Sequence, residues 1–199
     1  MSATLDINPT ASGALRRAVP RRLAVVRGLL ALAWAAAVAI AVGSRVPTTD
    51  TELPTAAAAF LASYPLIDVI ASLVGSALTD ARVLRANAAV SALAVVGIAI
   101  AAFGSDAGAT LVAFGAWAAI SGAIQLGRAI KHHRARGRQL PMIVSGGLST
   151  IAGISFIAAS GNEEAHLATL AGYMALGALF FLLWARRGDA AHEAVPEVA

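Results

Sequence analysis

The segment TAAAAFLASYPLIDVIASLVGSALT, residues 55–79, contains a single charged residue, Asp68. A helix needs about 20 mostly apolar residues to cross the ~30 Å hydrocarbon core of a bilayer. The segment is long enough, and its polarity does not alternate with the period of two that marks a barrel strand. Because a backbone in lipid must satisfy its own hydrogen bonds, the segment predicts a membrane-spanning helix.

Five further segments have the same length and character, so the chain is predicted to be an all-α, polytopic integral membrane protein with six transmembrane helices. Its composition agrees, since 58% of the 199 residues are hydrophobic and only 13% are charged, against about 25% charged in a soluble domain. The prediction gives an N-terminal tail at 1–22, a membrane domain at 23–187 and a C-terminal tail at 188–199. Residues 1–20 and 188–199 are expected to be disordered. The five further segments are residues 23–43, 86–103, 108–130, 141–160 and 165–184.

The basic residues lie on one side of this predicted bundle. If the six segments cross in turn, every Lys and Arg except Arg45 falls on the side of the N-terminus. By the positive-inside rule we expect both termini to be cytoplasmic. The preference for Arg over Lys and the abundance of Ala suggest a GC-rich bacterial genome, and hence the bacterial plasma membrane. The long first apolar run favours an uncleaved anchor over a signal peptide.

A weak internal repeat is present. The segment ATLVAFGAWAAISGAIQLGR (109–128) aligns without gaps on ATLAGYMALGALFFLLWARR (168–187). The same offset places Gly28, Asn87 and Gly146 in register near the starts of the first, third and fifth segments. This pattern predicts three repeated helical hairpins inserted in the same orientation, and chance similarity among Ala-rich helices is the alternative.

Two stretches resemble a known family. The segments VRGLLALAWAAAVAIA (26–41) and FGAWAAISGAIQLGRAIKHHRARGRQLPMIVSGGLSTIAGI (114–154) resemble the HdeD-like family of small six-helix bacterial membrane proteins. The resemblance extends over most of residues 23–187. It implies a stress-linked inner-membrane protein, associated with acid resistance, and it implies no particular reaction or catalytic residue.

Asp68 is the candidate site within the membrane. An ionised carboxylate in hydrocarbon costs several kcal/mol, so such residues face a bundle interior or a wet cavity. Polar residues recur with helical spacing on the same stripe, which should therefore face protein rather than lipid. Arg27 and Gln125 are the candidate partners from other helices. The stripe consists of Tyr64, Asp68, Ser72, Ser76 and Thr79.

Two interpretations of Asp68 remain open at this point. It is a structural anchor, hydrogen-bonded to Tyr64, Ser72 or a neighbouring helix, or it is a proton- or cation-binding group of a small transporter. No second acidic residue lies in any other predicted segment, which disfavours a proton relay. We therefore favour the anchor, and with it a structural or accessory protein. In that case Asp68→Asn, which keeps hydrogen-bonding capacity, should be nearly silent.

The segment 128–138 is predicted to be a basic, lipid-facing loop. Its charges are explained most simply as a topology determinant, with binding of anionic lipids or a pH response through its two histidines as alternatives. No metal site is expected, since adjacent histidines share a helix face poorly and no third ligand is near. The candidate residues are Lys131, His132, His133, Arg134, Arg136 and Arg138.

Other functional classes receive no support from the sequence. It has no cysteine, no nucleophile motif and no phosphate-binding glycine loop, so no enzyme and no cofactor are predicted. Because the charges follow membrane topology, no nucleic-acid partner is expected. Membrane lipids are the expected partners, and homo-oligomerisation or binding of another membrane protein stays open. Small residues at helical spacing are expected to allow close packing of helices within the chain, namely Gly115, Ala118, Gly122, Ser149, Gly153, Ala168 and Gly172.

Overall fold

The computed structural model of the protein describes residues 9–44, 46–79, 82–136 and 139–187. In these ranges the chain is mainly helical, and its strand-type pairing is limited to an isolated bridge between Thr48 and Glu164. Each helix contains a stretch long and apolar enough to cross a membrane, so the predicted all-α architecture with six transmembrane helices is confirmed. The helices are α1 Pro9–Val42, α2 Thr55–Thr79, α3 Arg82–Gly104, α4 Ala107–Arg136, α5 Leu140–Ala159 and α6 Ala168–Arg187.

Helices α1 and α4 extend by more than one turn beyond the ends of the predicted apolar segments. Helix α1 begins at Pro9, so the prediction that residues 1–20 are disordered is wrong from Pro9 onwards. Helix α4 continues to Arg136, where a loop was predicted from residue 128. The added residues are rich in Ala and Arg, which are strong helix formers, and extending an existing helix avoids the cost of nucleation. The predicted C-terminal tail, residues 188–199, lies outside the described residues.

The helices form a closed ring in which each helix packs against its chain neighbours and α6 packs against α1. The most extensive contacts join α4 to α5, α2 to α3 and α1 to α6, while α5 and α6 touch least. The tight pairs are therefore α2 with α3, α4 with α5 and α6 with α1. The predicted hairpins would instead pair α1 with α2, α3 with α4 and α5 with α6. The predicted repeat itself stays a prediction. Its three register positions do lie on these tight contacts, Gly28 against α6, Asn87 against α2 and Gly146 against α4.

Small residues allow α4 and α5 to touch through their backbones. A Cβ atom on Gly153 would lie 2.4 Å from the backbone nitrogen of Ala119, and one on Gly146 would lie 2.6 Å from that of Leu126. Gly115 is equally confined by the Gly153 carbonyl. The predicted packing of small residues within the chain is thus confirmed for this pair. It is wrong for Gly172 of α6, where an added Cβ meets no atom within 4 Å.

The two ends of the bundle differ. At the end where α1 finishes and α2 begins, the segments 46–54 and 160–167 are joined by backbone hydrogen bonds from Ala165 N to Pro47 O at 2.7 Å and from Thr49 N to Glu163 O at 3.2 Å. Gly108 N of α4 also donates to Thr49 O at 2.7 Å. Together these two segments cover this end of the bundle, and their residues Ala165 and Leu167 are fully buried. We call this the closed end. The other end, where α1, α3 and α5 start and the basic residues gather, is called the basic end.

Candidate functional site

Asp68 lies inside the bundle, as the polar stripe predicted. It is 3% exposed, and Ser72 and Ser76 on the same face are also buried. Its carboxylate Oδ1 forms an ion pair with Arg27 Nη2 of α1. The predicted partnership of these two residues is therefore seen in the structure. The Arg27 guanidinium also lies 4.1 Å from the centre of the Phe181 ring in α6, an arrangement typical of a cation–π contact.

The second oxygen of Asp68 accepts three hydrogen bonds from two other helices. Asn87 Nδ2 and Ser91 Oγ of α3 donate at 2.6 and 2.7 Å, and Ser121 Oγ of α4 donates at 3.2 Å. Trp117 Nε1 in turn donates to Ser91 Oγ at 3.0 Å. The carboxylate thus connects α1, α2, α3 and α4. Buried charges need such pairing and hydrogen bonding to offset their desolvation.

Three of the predicted neighbours take other roles. Ser72 reaches Asp68 only indirectly, by accepting a hydrogen bond of 2.9 Å from Asn87 Nδ2. Within the described part of the chain, no hydrogen bond joins Tyr64 to Asp68. Gln125 donates to the Met142 carbonyl at 3.4 Å instead. For Thr79, the last member of the predicted stripe, only the backbone is described.

An aromatic cluster separates this polar network from the closed end. Phe114 is fully buried at its centre, and its ring centroid lies 5.3 to 6.3 Å from those of the other four members. Edge-to-face contacts predominate, which is the arrangement that ring quadrupoles favour. Tyr64 and Trp117 lie one helical turn from Asp68 and Ser121, respectively, on the side of the closed end, so aromatic side chains occupy that side of the network. Its members are Tyr64, Phe114, Trp117, Phe156 and Tyr173.

Towards the basic end, the network borders a cavity of about 240 Å³ that we call the vestibule. Arg27, Gln125 and Arg128 line it together with Phe181 and Trp184. A smaller space of about 40 Å³ continues from Arg27 and Gln125 to Asp68. Polar groups thus face a space that leads from the basic end to the ion pair, whereas the other side of the ion pair is filled by aromatic rings.

The basic segment 128–138 is helical up to Arg136, so the predicted loop is wrong in conformation. Positive charge is favourable near the C-terminus of a helix, where it offsets the helix dipole. Lys131, His132 and Arg134 are exposed, and His133 is half-buried with its Nδ1 accepting from Gln139 N at 3.5 Å. His132 also lines the vestibule. The side chain of Arg136 and all of Arg138 lie outside the described residues, and binding of lipid by this segment stays a prediction.

The residues that hold the second oxygen of Asp68 were not predicted from the sequence. Asn87 was predicted only as a repeat position, and Ser91, Ser121 and Trp117 were not predicted to be site residues. A signal was present in α3, because Asn87 and Ser91 are one turn apart and therefore share a helix face. Ser121 had no such partner in its own helix, and only the packing of α4 on α3 brings it to Asp68.

The arrangement can hold charge, accept or donate hydrogen bonds and admit a small group from the basic end. Among the described residues, no three His, Asp or Glu side chains are grouped so that they could hold a metal ion. Asn87 Oδ1 is buried and accepts no hydrogen bond from the described part of the chain, which leaves an acceptor available within the network. No family model, no curated protein and no solved structure matches this chain.

Proposed function

We propose that this protein is a non-enzymatic accessory protein of the bacterial cytoplasmic membrane, with both termini in the cytoplasm and a role in stress. Six membrane-spanning helices and the concentration of Lys and Arg at one end of the bundle support the location and orientation. The resemblance of residues 26–41 and 114–154 to HdeD-like proteins supports the link to stress. On this proposal the protein acts through the packing of its helices and through contacts with lipid or another membrane protein.

One observation carries the accessory role, namely that both oxygens of Asp68 are engaged. Oδ1 forms an ion pair with Arg27 but accepts no hydrogen bond from the described residues, and Oδ2 accepts from Asn87, Ser91 and Ser121. A carboxylate held in this way is pre-organised by four helices and would have to break several contacts to bind a proton or a cation. Asp68 is therefore proposed to be the anchor that holds the four helices α1, α2, α3 and α4 together around the vestibule.

A second function is favoured by a different observation, the vestibule itself. A bundle that needed only an anchor would gain stability by filling this space, because dispersion contacts are lost wherever a cavity remains. A small transporter or proton pathway would instead require such a space, open at one end and ending at a charged pair. The space reaches Asp68, Arg27 and Gln125, the residues that such a pathway would use.

Proton flux into liposomes distinguishes the two functions. The purified full-length protein is reconstituted with an entrapped pH dye, and flux under an imposed pH gradient is compared between wild type, Asp68→Asn and Glu163→Gln. Glu163 is an exposed carboxylate in the cover of the closed end and serves as the matched control. The accessory role predicts flux equal to that of empty liposomes for all three proteins. Flux that is present in wild type and Glu163→Gln but lost in Asp68→Asn would establish the proton pathway and contradict the accessory role.

A further inference from the structure

A cleft of about 290 Å³ opens between α5 and α6, the pair of neighbours with the least contact in the ring. Its walls are apolar, and several of its side chains are also exposed on the outer surface, among them Leu148, Ile151 and Leu176. In a membrane this surface contacts lipid tails, so the cleft is open to the acyl chains of the bilayer. Phe156 and Phe180 line its inner part.

The cleft connects with the polar interior. Ser145, Ser149, Tyr173 and Gly177 line both the cleft and the small space beside Asp68. A hydrogen bond of 3.3 Å from Tyr173 Oη to Ser149 Oγ links α6 to α5 at this junction, and its length makes it a weak contact. A Cβ atom on Gly177 would meet no protein atom within 4 Å. The junction therefore consists of small side chains and one tyrosine, with unfilled space beside Gly177.

The charge of the vestibule favours an anion. Arg27 and Arg128 both line the vestibule, and Asp68 is the acidic residue that borders the connected space. Asp68 is paired with Arg27, and among the described residues no ion pair joins Arg128 to a carboxylate, although the more distant charge of Asp68 acts on it. An arginine within a membrane-spanning segment is costly when it is unpaired, and a phosphate or carboxylate group is the ligand that its planar donors suit best.

We propose that the protein binds one anionic single-chain amphiphile, with its head group in the vestibule near Arg27 and Arg128 and its chain in the cleft between α5 and α6. The positive charges of Arg27 and Arg128 favour an anionic head group, and the apolar cleft that opens towards lipid favours an acyl chain. The volume selects a single chain, since a cavity of ~150 Å³ holds one benzene molecule and the cleft is only about twice as large. This site does not depend on whether Asp68 acts as an anchor or as a proton site.

Binding is measured by native mass spectrometry of the purified full-length protein in a non-ionic detergent. The probes are lysophosphatidic acid, lysophosphatidylcholine with the same chain, and glycerol 3-phosphate as the head group without a chain. We expect wild type to bind one lysophosphatidic acid about tenfold more tightly than lysophosphatidylcholine, a difference of ~1.4 kcal/mol, and to show no binding of glycerol 3-phosphate. Equal affinity for the two lipids, or equally tight binding of glycerol 3-phosphate, would overturn the proposal.

Matched glycine variants test the position of the chain. Gly177→Leu fills the junction and should weaken the binding of lysophosphatidic acid about tenfold or more, whereas Gly97→Leu should leave it unchanged. Gly97 is exposed on α3 and its Cβ position is equally empty. Gly172 is an exposed residue of α6 that also lines the cleft. The variant Gly172→Leu replaces Gly177→Leu if the latter does not yield folded protein. Wild-type affinity in the cleft variant, or the same loss in Gly97→Leu, would refute the proposed site.

Arg128→Gln tests the position of the head group. It should reduce the preference for lysophosphatidic acid over lysophosphatidylcholine to less than about threefold, because the neutral amide keeps donors but loses the charge. Binding of lysophosphatidylcholine itself should change little. A preference that stays at the wild-type value would remove Arg128 from the site and overturn the proposed placement of the head group.

Discussion

Neutralising both members of the Arg27–Asp68 pair should destabilise the protein by less than the sum of the two single changes. In Asp68→Asn an amide replaces the carboxylate. The amide oxygen can still accept hydrogen bonds from Asn87, Ser91 and Ser121, but the Arg27 charge is left unpaired inside the bundle. Loss of one partner of a buried ion pair typically costs 3–5 kcal/mol. Because the Arg27 side chain is 22% exposed to the vestibule, which lets water reach it, we expect about 2–3 kcal/mol, below that range.

A double-mutant cycle isolates this term. Arg27→Gln alone should also destabilise, since it removes the contact with Phe181 and leaves Asp68 uncompensated. The contact with Phe181 is lost equally in the single and double variants, so it cancels in the coupling energy. We expect the double variant Arg27→Gln/Asp68→Asn to be more stable than the sum of the single changes predicts, by about 1.5 kcal/mol or more.

The assay is reversible unfolding in mixed micelles with increasing mole fraction of sodium dodecyl sulfate, followed by tryptophan fluorescence. Trp117 reports directly, because it donates to Ser91 within the network. Glu163→Gln at the closed end provides a carboxylate control that should leave the unfolding free energy unchanged. A coupling energy within about 0.5 kcal/mol of zero, the usual scatter of independent sites, would show that Asp68 and Arg27 do not stabilise one another and would refute the anchor.

Two further predictions concern packing and topology. Gly153→Ala should destabilise the protein by about 1–3 kcal/mol in the same unfolding assay, because the new methyl group overlaps the Ala119 backbone, whereas Gly97→Ala on the outer face of α3 should not; equal stability of the two would contradict the close contact of α4 and α5. Since the chain has no cysteine, single cysteines can report sidedness: a membrane-impermeant maleimide should label Glu163→Cys in intact cells and Lys131→Cys only after permeabilisation, and the reverse pattern would invert the proposed orientation.

The number and approximate positions of the helices follow from the sequence, because the bilayer fixes the length of an apolar segment. Their ends do not follow as well, since hydropathy records where lipid ends and not where helical hydrogen bonding ends. Helix α4 shows this, because its last residues are charged and still helical. In the same way, the apolar segments gave no reason to expect that α1 begins as early as Pro9.

For the site, the sequence predicted what a single helix could show. Asp68 was predicted to face inward because its own stripe is polar. Arg27 and Gln125 were both predicted as candidate partners, and the structure pairs Arg27 with Asp68 but Gln125 with the Met142 carbonyl. The hydrogen-bond donors Ser91 and Ser121 come from other helices, whose rotation and height relative to α2 depend on packing of the whole ring. The expectation that Asp68→Asn would be nearly silent considered hydrogen bonds alone, and the ion pair replaces it with the loss of stability described above.

The ring of helices also has a consequence for the order in which the protein is made. Domains are synthesised from the N-terminus, so Arg27 and Asp68 can meet as soon as α2 has entered the membrane, and each then lowers the insertion cost of the other. The contact between α1 and α6, by contrast, joins the first helix to the last. Until translation is complete, the face of α1 around Gly28, which finally packs on Leu182, stays uncovered in the bilayer. Biogenesis therefore requires that this nascent surface be shielded, either by lipid or by the insertion machinery, for as long as the other helices are being synthesised.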